Sequence, residues 1–437
     1  MVSSIVSLFI YIVTIIWGLF LDYVIYSKPG KYSAKRIKSL RHFYLLWLYV
    51  FLCFGYMTGS DWRNYELTYK YGDGIDRFLS EPISWFIFTI FPKVIPDFVL
   101  FMGVVKCFYL YSVYKLVSTI TDRWVSVLAL LIPFKLSFML IQNPFRFMIA
   151  LIFVNLAFRY YYLYFLSPNR NKKKTAMVAV FGLTLVSVFV HNSCVVFLPL
   201  LLVSLLSPHI SKINPFLLFV LYIVFSVFTS NLSFINELKE NAILFVQNYM
   251  EMSDYAYYES EDNEAIWSVG NLLRFLFFFF ILRSRNQICG LYENGAIVYG
   301  FAILYLFLSR LLILIPTGFR LTLPFMVFYV VVIIYMWMCK QKYKETLSLL
   351  SKSSVDNYSM SWRLKRLGSY SYIPLFALMI ITYSFLSFGK KAWTSYDILP
   401  YSNSIPYLVV GHKTYEERSQ NNLNAYQIRL GIPYEHE

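Results

Sequence analysis

Two short polar clusters interrupt long apolar stretches of this chain, and each carries a side chain suited to chemistry on phosphate or hydroxyl groups. The first cluster, QNPFR, ends at Arg146, and the second, HNS, begins at His191. An arginine guanidinium matches the geometry of phosphate oxygens. A neutral imidazole can accept a proton from a sugar hydroxyl near neutral pH. These residue types together predict a site for a phosphate-linked lipid substrate.

The segment between the two clusters must bring them together. It contains two apolar spans on either side of a basic turn, RNKKK at residues 170–174. Basic loops favour the cytoplasmic side of a membrane. If this turn is cytoplasmic, the two spans return Arg146 and His191 to the opposite membrane face, side by side.

The composition is typical of a helical membrane protein. Of the 437 residues, 58% are hydrophobic and only 14% are charged, whereas a soluble protein carries roughly a quarter charged residues. Apolar runs of about 20 residues recur along the chain, and this length crosses about 30 Å of hydrocarbon. We therefore predict an all-α, polytopic integral membrane bundle of about 12 transmembrane helices.

The net charge and the cysteine content limit the partners and metal sites that we expect. The net charge of +15 indicates basic cytoplasmic loops facing the lipid bilayer, and we expect no nucleic-acid partner. The five cysteines are scattered, and no pair has metal-ligand spacing. We expect no metal, no cofactor and no disulfide framework.

Basic loops set the orientation of the predicted spans. Lys and Arg number six in loop 27–41, four in loop 166–175 and seven in loop 340–370, so all three loops are predicted to be cytoplasmic. Loop 232–266 has eight acids and one Lys, and we place it outside. The spans that fit these anchors, with both termini outside, are residues 3–26, 42–58, 97–119, 124–141, 146–166, 175–190, 194–206, 214–231, 267–283, 295–315, 321–339 and 371–388.

Two apolar segments do not fit a simple crossing. Segment 82–95 is short and contains Pro82 and Pro92, with Pro96 directly after it, so we predict a re-entrant or interfacial piece. Segment 175–206 is too long for one helix, so we split it at His191. The predicted domain organisation is a single transmembrane domain at 1–437, with a first outer loop at 59–96, an acidic, Tyr-rich outer loop at 232–266 and an outer C-terminal tail at 389–437.

Five cations lie near the outer ends of the predicted spans. A cation inside the membrane costs about 2.5–3.5 kcal/mol and usually faces a cavity or a partner. Few acids stand in the same spans, so we favour an anionic, phosphate-bearing ligand. The alternative is that some of these side chains snorkel to the headgroups. The five are Lys135, Arg146, Arg274, Arg310 and Arg320.

The first outer loop offers candidates for binding and acid–base chemistry. In its motif GSDWRNY, Asp61 could act as a base, bind a sugar or cap the helix that follows. Arg63 and Tyr65 are candidate substrate-binding residues, and the rings of Trp62 and Tyr65 could stack on sugar faces. Glu81, at the start of the re-entrant piece, is a second carboxylate candidate.

Several of these residues also have structural interpretations. His191 could be a hydrogen-bonded structural residue in an apolar setting. Gln142 and Asn143 could hydrogen-bond a sugar or phosphate, or they could cap the helix that starts at Pro144. The sequence leaves open whether His191 or Asp61 is the base.

The ordered set of motifs resembles the EpsG family, whose members are relatives of the Wzy-type O-antigen and exopolysaccharide polymerases. The similarity covers roughly residues 40 to 340. It rests on four motifs in order, namely GSDWRNY, Glu81-Pro82, Gln142-x-x-x-Arg146 and His191-Asn192-Ser193.

This resemblance implies a polymerase in the bacterial inner membrane with a periplasmic active site. Such an enzyme moves a growing glycan from undecaprenyl diphosphate onto the non-reducing end of a lipid-linked repeat unit. Arg146, with Arg274, Arg310 or Arg320, would stabilise the leaving diphosphate. A chain-length regulator and a flippase are further expected partners.

Three other functions remain open from the sequence. A glycosyltransferase using a polyprenyl monophosphate sugar would depend on Asp61 rather than His191. A transporter or flippase of lipid-linked oligosaccharides would need cations throughout the membrane depth, whereas those here lie near the outer face. A membrane acyltransferase would normally take its donor from the cytoplasmic side.

Overall fold

The structure is a computed structural model, and every regular element in its described part is a helix, which confirms the all-α fold class. The chain is described over residues 2–27, 32–55, 62–72, 74–136, 139–140, 144–229, 269–312 and 318–352. Several predicted features lie outside these residues, namely Asp61, Gln142, Asn143, the loop at 232–266, the span at 371–388 and the tail at 389–437.

The described residues form two compact units, one ending at Val195 and one beginning at Val196. The single transmembrane domain over residues 1–437 stays a prediction. In the first unit the helices are α1 (Val2–Ser27), α2 (Ala34–Leu48), α3 (Trp62–Tyr71), α4 (Pro82–Val94), α5 (Phe98–Ile120), α6 (Trp124–Leu131), α7 (Phe145–Leu166) and α8 (Arg170–Val190). Two π-helical segments, Tyr49–Cys53 and Ile132–Leu136, extend α2 and α6.

Local sequence signals start several of these helices. The Asp97 side chain caps α5 by accepting from the Leu100 amide at 2.8 Å. The Asn169 side chain caps α8 in the same way through the amides of the first turn. Pro82 occupies the first turn of α4, where its missing N–H costs nothing.

A buried ion pair connects α1 and α2 in the first unit. Asp22 in α1 is fully buried and accepts from the Arg41 guanidinium of α2 at 2.8 Å. Its second oxygen accepts from the backbone amide of Ser126 in α6 at 2.9 Å. A buried carboxylate needs such donors because desolvation penalises its charge. Asp22 therefore joins three helices through one side chain.

Five helical stretches of the described chain are candidates to span a membrane. By length and composition, these five helices can cross a membrane, and four other apolar helices have only 10–17 residues. The chain is thus a multi-pass helical membrane protein, while the number of about 12 crossings stays a prediction. The five stretches are Phe9–Ser27, Phe98–Ile120, Phe145–Leu166, Arg170–Val190 and Arg320–Tyr343.

The second unit contains one long apolar helix. Its helices are α9 (Phe197–Ser204), α10 (Ser207–Ile210), α11 (Pro215–Thr229), α12 (Val269–Arg283), α13 (Arg285–Leu291), α14 (Gly295–Leu311) and α15 (Leu323–Lys352). The apolar part of α15 is almost entirely buried, as expected for a helix that is hydrophobic on every face. At Gly300 of α14, an added Cβ would overlap the carbonyl group of Ser207, so glycine permits this close approach.

Two short elements bear on the predicted topology. Helix α4 has 13 residues, or about 20 Å, which is less than the hydrocarbon thickness. This length suits the predicted re-entrant or interfacial piece. The predicted crossing at 194–206 consists of a 3₁₀ turn, Asn192–Val196, followed by α9, which has only eight residues.

Candidate active site

Helices α7 and α8 form an antiparallel hairpin that returns both polar clusters to the same end. Arg146 is the second residue of α7, and His191 directly follows the last residue of α8. Only three residues, 167–169, join the two helices. Because the helices have similar lengths, the hairpin places Arg146 beside His191, as the sequence predicted.

The chain leaves the helical conformation at His191. Its backbone angles, φ −153° and ψ 113°, are extended, and a 3₁₀ turn, Asn192–Val196, follows. The His191 amide still donates to the carbonyl of Ser187 at 2.9 Å, which closes the last turn of α8. The structure therefore shows the helix break that the sequence predicted at this histidine.

The Glu81 carboxylate connects the first turn of α7 to the residue that directly follows α8. Its Oε2 accepts a hydrogen bond from Nη1 of Arg146 at 2.6 Å. Its Oε1 contacts Nδ1 of His191 at 2.6 Å and accepts from the backbone amide of Asn192 at 3.2 Å. Arg146 and His191 thus lie on the two oxygens of a single carboxylate.

The electrostatic surroundings keep Glu81 ionised near neutral pH. Burial of this carboxyl raises its pKa, because desolvation disfavours the charged form. The hydrogen bond from His191, the charge of its ring when protonated, the charge of Arg146 and the amide of Asn192 together outweigh burial. The pKa of Glu81 therefore lies below its ordinary value of 4.5.

An ionised carboxylate can only accept hydrogen bonds, and this fixes the proton on the facing nitrogen of His191. Nδ1 must carry a hydrogen to bond Oε1 of Glu81. In the neutral ring, Nε2 then has the free lone pair. The imidazole ring also packs against the Phe147 ring in an edge-to-face arrangement, with ring centroids 5.7 Å apart. The ring is therefore held by one polar and one apolar neighbour.

Short polar contacts attach the start of α4 to the end of α8. The Ser84 hydroxyl donates to the carbonyl of Val190 at 2.7 Å. The Asn192 amide group donates to the Ser80 hydroxyl at 3.1 Å. These contacts lie on either side of Glu81, so the carboxylate is positioned from both directions along the chain.

Aromatic rings surround the buried side of the site. The guanidinium of Arg146 lies 4.5 Å from the ring centroid of Phe78, a cation–π distance. Tyr65 is a hydrogen-bonding neighbour of the same guanidinium. The Tyr65 ring also packs against Phe88 and Phe145, at 5.9 and 5.6 Å between centroids. Tyr65 is therefore part of the structure that holds Arg146 in place.

Trp62 does not offer a ring face for sugar stacking in this structure. Its side chain is only 1% exposed and packs edge-on against Phe98 at 5.4 Å. The fully buried amine of Lys106, in the middle of α5, lies 5.6 Å from the Trp62 ring. The motif GSDWRNY thus contributes its tryptophan to the interior of the first unit.

The remaining predicted site residues are distributed as follows. Arg310 is buried in the last turn of α14, and Arg320 is half-buried in the 3₁₀ segment Gly318–Thr322; both belong to the second unit. The side chains of Arg63, Lys135 and Arg274 lie outside the described part of the chain. Among the described candidates, the structure brings together Glu81, Arg146, His191 and Tyr65.

Sequence reasoning missed Ser80 and Ser84, which position Glu81. Only the pair Glu81-Pro82 gave a signal. A residue before proline avoids the α conformation, so the pair indicates a helix that begins at Pro82. No spacing rule shows that Ser84 reaches the end of a helix 106 residues away.

Comparison with known protein families identifies the family of the chain. The model of the EpsG family matches residues 38–352, which is well over half of the chain and includes Glu81, Arg146 and His191. None of the curated proteins and none of the solved structures matches the chain. The family match confirms the resemblance seen in the motifs. The chain belongs to the EpsG family, whose members are Wzy-type polymerase-like membrane proteins.

Proposed function

We propose that this protein polymerises a glycan on a lipid carrier. It transfers a growing chain from undecaprenyl diphosphate onto the non-reducing end of a lipid-linked repeat unit. Membership of the EpsG family supports a membrane polysaccharide polymerase. The observation that carries the mechanism is that Arg146, in the first turn of α7, and His191, directly after α8, share the Glu81 carboxylate.

His191 acts as the general base in this proposal. Its side chain is 20% exposed, so a substrate can reach the ring. The Nε2 lone pair takes the proton of the acceptor hydroxyl. The hydroxyl oxygen forms the new bond to the anomeric carbon, and the bond from that carbon to the diphosphate breaks with its electron pair on the diphosphate.

Arg146 stabilises the charge that develops on the leaving diphosphate. Its side chain is 25% exposed, and one of its five N–H donors is used by Glu81. A guanidinium placed where negative charge grows stabilises the transition state more than the ground state, and this difference lowers the barrier. Because Arg146 and His191 lie on one carboxylate, donor phosphate and acceptor hydroxyl meet within a short distance.

The proposed orientation places this site on the periplasmic face of a bacterial inner membrane. Its support is the basic segment at the start of α8, residues 170–174, which lies at the opposite end of the hairpin from His191. Arg274, Arg310, Arg320 and Lys135 stay proposed contacts for the diphosphate, and Asp61, Arg63, Gln142 and Asn143 for the glycan. A flippase and a chain-length regulator are proposed partners.

A glycan assay in cells tests this function. In a strain that lacks the gene, the wild-type protein should restore long glycan chains. Arg146→Ala and His191→Ala should leave single repeat units on the lipid carrier, with chain formation reduced at least about 100-fold. Long chains of normal length from either variant, at wild-type protein abundance, would exclude the assigned role of that residue.

Matched control variants separate the site from general charge effects. Arg159→Ala removes an arginine from the same helix, where it contacts Thr119 rather than Glu81. His209→Ala removes a histidine from α10 in the second unit. Both variants should make long chains at wild-type levels.

A further inference from the structure

Glu81 is nearly inaccessible, although it lies between two groups that a substrate can reach. Its side chain is 1% exposed, compared with 20% for His191 and 25% for Arg146. Three hydrogen-bond donors already surround its two oxygens. A substrate hydroxyl or phosphate therefore has no access to this carboxylate, so its contribution must pass through its neighbours.

We propose that Glu81 is a positioning residue, which selects the Nδ1–H form of His191 and holds Arg146 beside it without touching the substrate. This inference rests on the proposed function of the same site. It changes the expected role of Glu81 from substrate binding or acid–base chemistry to orientation of the base.

The hydrogen-bond pattern supports selection of one ring form. A neutral imidazole can carry its proton on either nitrogen, and the partner of one nitrogen decides which form is present. Oε1 of Glu81 lies 2.6 Å from Nδ1, and it also accepts from the Asn192 amide at 3.2 Å. The second bond prevents the carboxylate from rotating away from the ring. Nε2 is consequently the nitrogen left to receive a proton.

The interaction energy between the Glu81 carboxylate and the His191 ring also changes during the reaction. When His191 takes a proton, the ring becomes an imidazolium next to a buried carboxylate. Coulombic attraction in a poorly hydrated site is stronger than in water. Glu81 therefore stabilises the protonated ring more than the neutral ring, and this difference lowers the barrier of proton transfer.

The local fold makes Glu81 rigid enough for this role. The residue is the N-cap of α4, with φ −123° and ψ 76°, but its side chain does not cap the helix. The carboxylate points instead to Arg146 and His191. Hydrogen bonds from Ser84 to Val190 and from Asn192 to Ser80 fix the backbone on both sides.

A double-mutant cycle on the purified, full-length protein tests the proposal. The variants are Glu81→Gln, His191→Ala and the double variant, assayed with lipid-linked repeat units. Glu81→Gln should lower kcat at least about 100-fold with little change in KM, because substrate contacts are kept. In the His191→Ala background, Glu81→Gln should cause a much smaller further loss of kcat, which is the part that passes through Arg146.

The control is Glu66→Gln, which removes another buried carboxylate from the same unit. Glu66 pairs with Lys70 at 2.6 Å within α3. Its kcat should stay near the wild-type value. Wild-type kcat in Glu81→Gln, or losses that multiply in the double variant, would overturn the positioning role. Full activity of His191→Ala would instead remove the proposed base itself.

A spectroscopic measurement covers the case in which Glu81→Gln does not fold. The ¹⁵N spectrum of histidine-labelled wild-type protein distinguishes protonated from bare ring nitrogens. The signals that disappear in His191→Ala belong to this residue. We expect a protonated Nδ1 and a bare Nε2 in the neutral ring, whereas the reverse assignment would contradict the proposal.

Discussion

Glu81 carries a charge in a place where burial alone would favour the neutral carboxyl. Two partners, Arg146 and His191, offset that cost through hydrogen bonds of 2.6 Å. Removing one partner of a buried pair leaves an uncompensated charge, which is the expensive outcome. The same three side chains therefore determine local stability as well as the proposed chemistry.

A prediction on stability against pH follows from the lowered pKa of Glu81. A carboxyl whose pKa is lower in the folded state stabilises the fold above its unfolded pKa, and this stabilisation is lost as pH falls through the folded pKa. Glu81→Gln should lower the free energy of unfolding by about 2 kcal/mol near neutral pH. This is less than for a fully buried pair, because Arg146 and His191 are partly exposed. The difference in Tm from wild type should shrink as pH falls below the ordinary value of 4.5.

Thermal unfolding of the detergent-solubilised protein at a series of pH values measures this effect. Glu293→Gln is the matched control, because Glu293 is exposed. Its Tm should follow the wild type at every pH. A Tm difference for Glu81→Gln that stays constant down to pH values well below 4.5 would show that the lowered pKa of Glu81 does not stabilise the fold.

Arg146 and His191 could be predicted from the sequence, whereas the contact with Glu81 could not. Polar groups inside apolar spans carry a cost that is visible without coordinates. Glu81 lies 65 residues before Arg146 and 110 before His191. Their meeting depends on how α4 folds back onto the end of α8, which no local pattern encodes.

At the scale of elements, the α7–α8 hairpin is the feature that makes the site. The sequence predicted both helices and the break at His191, but it started the second span at residue 175. The helix begins at Arg170 instead, because Asn169 caps it through the amides of Asn171 and Lys172. Hydropathy shows where the apolar part of a helix begins. The helix itself can begin earlier, at a polar capping residue.

The orientation of this hairpin leads to a prediction with reporter fusions. Alkaline phosphatase is active only outside the cytoplasm. Fusions after Asn143 and after Asn192 should therefore be active, and a fusion after Lys173 should be inactive. Green fluorescent protein fused at the same positions is the control, with the opposite pattern. Phosphatase activity at Lys173 alone would invert the hairpin and place the site in the cytoplasm.

At the scale of the whole molecule, composition was enough to predict a helical membrane protein. The number of crossings was not, because several apolar helices are shorter than a bilayer. The π-helical segment Ile132–Leu136, which contains a proline, interrupts the span predicted at 124–141. Such irregular backbone in a membrane protein must be buried in protein or line a wet cavity. Hydropathy does not distinguish these cases.

The proposed polymerisation is a single reaction, which purified protein in liposomes can test directly. The wild-type protein is supplied with a fluorescent, undecaprenyl-diphosphate-linked repeat unit and no other substrate. We predict lipid-linked chains that grow by whole repeat units, with one undecaprenyl diphosphate released for each transfer, and no growth with His191→Ala. Movement of intact units across the bilayer without chain growth would contradict the proposed polymerase function.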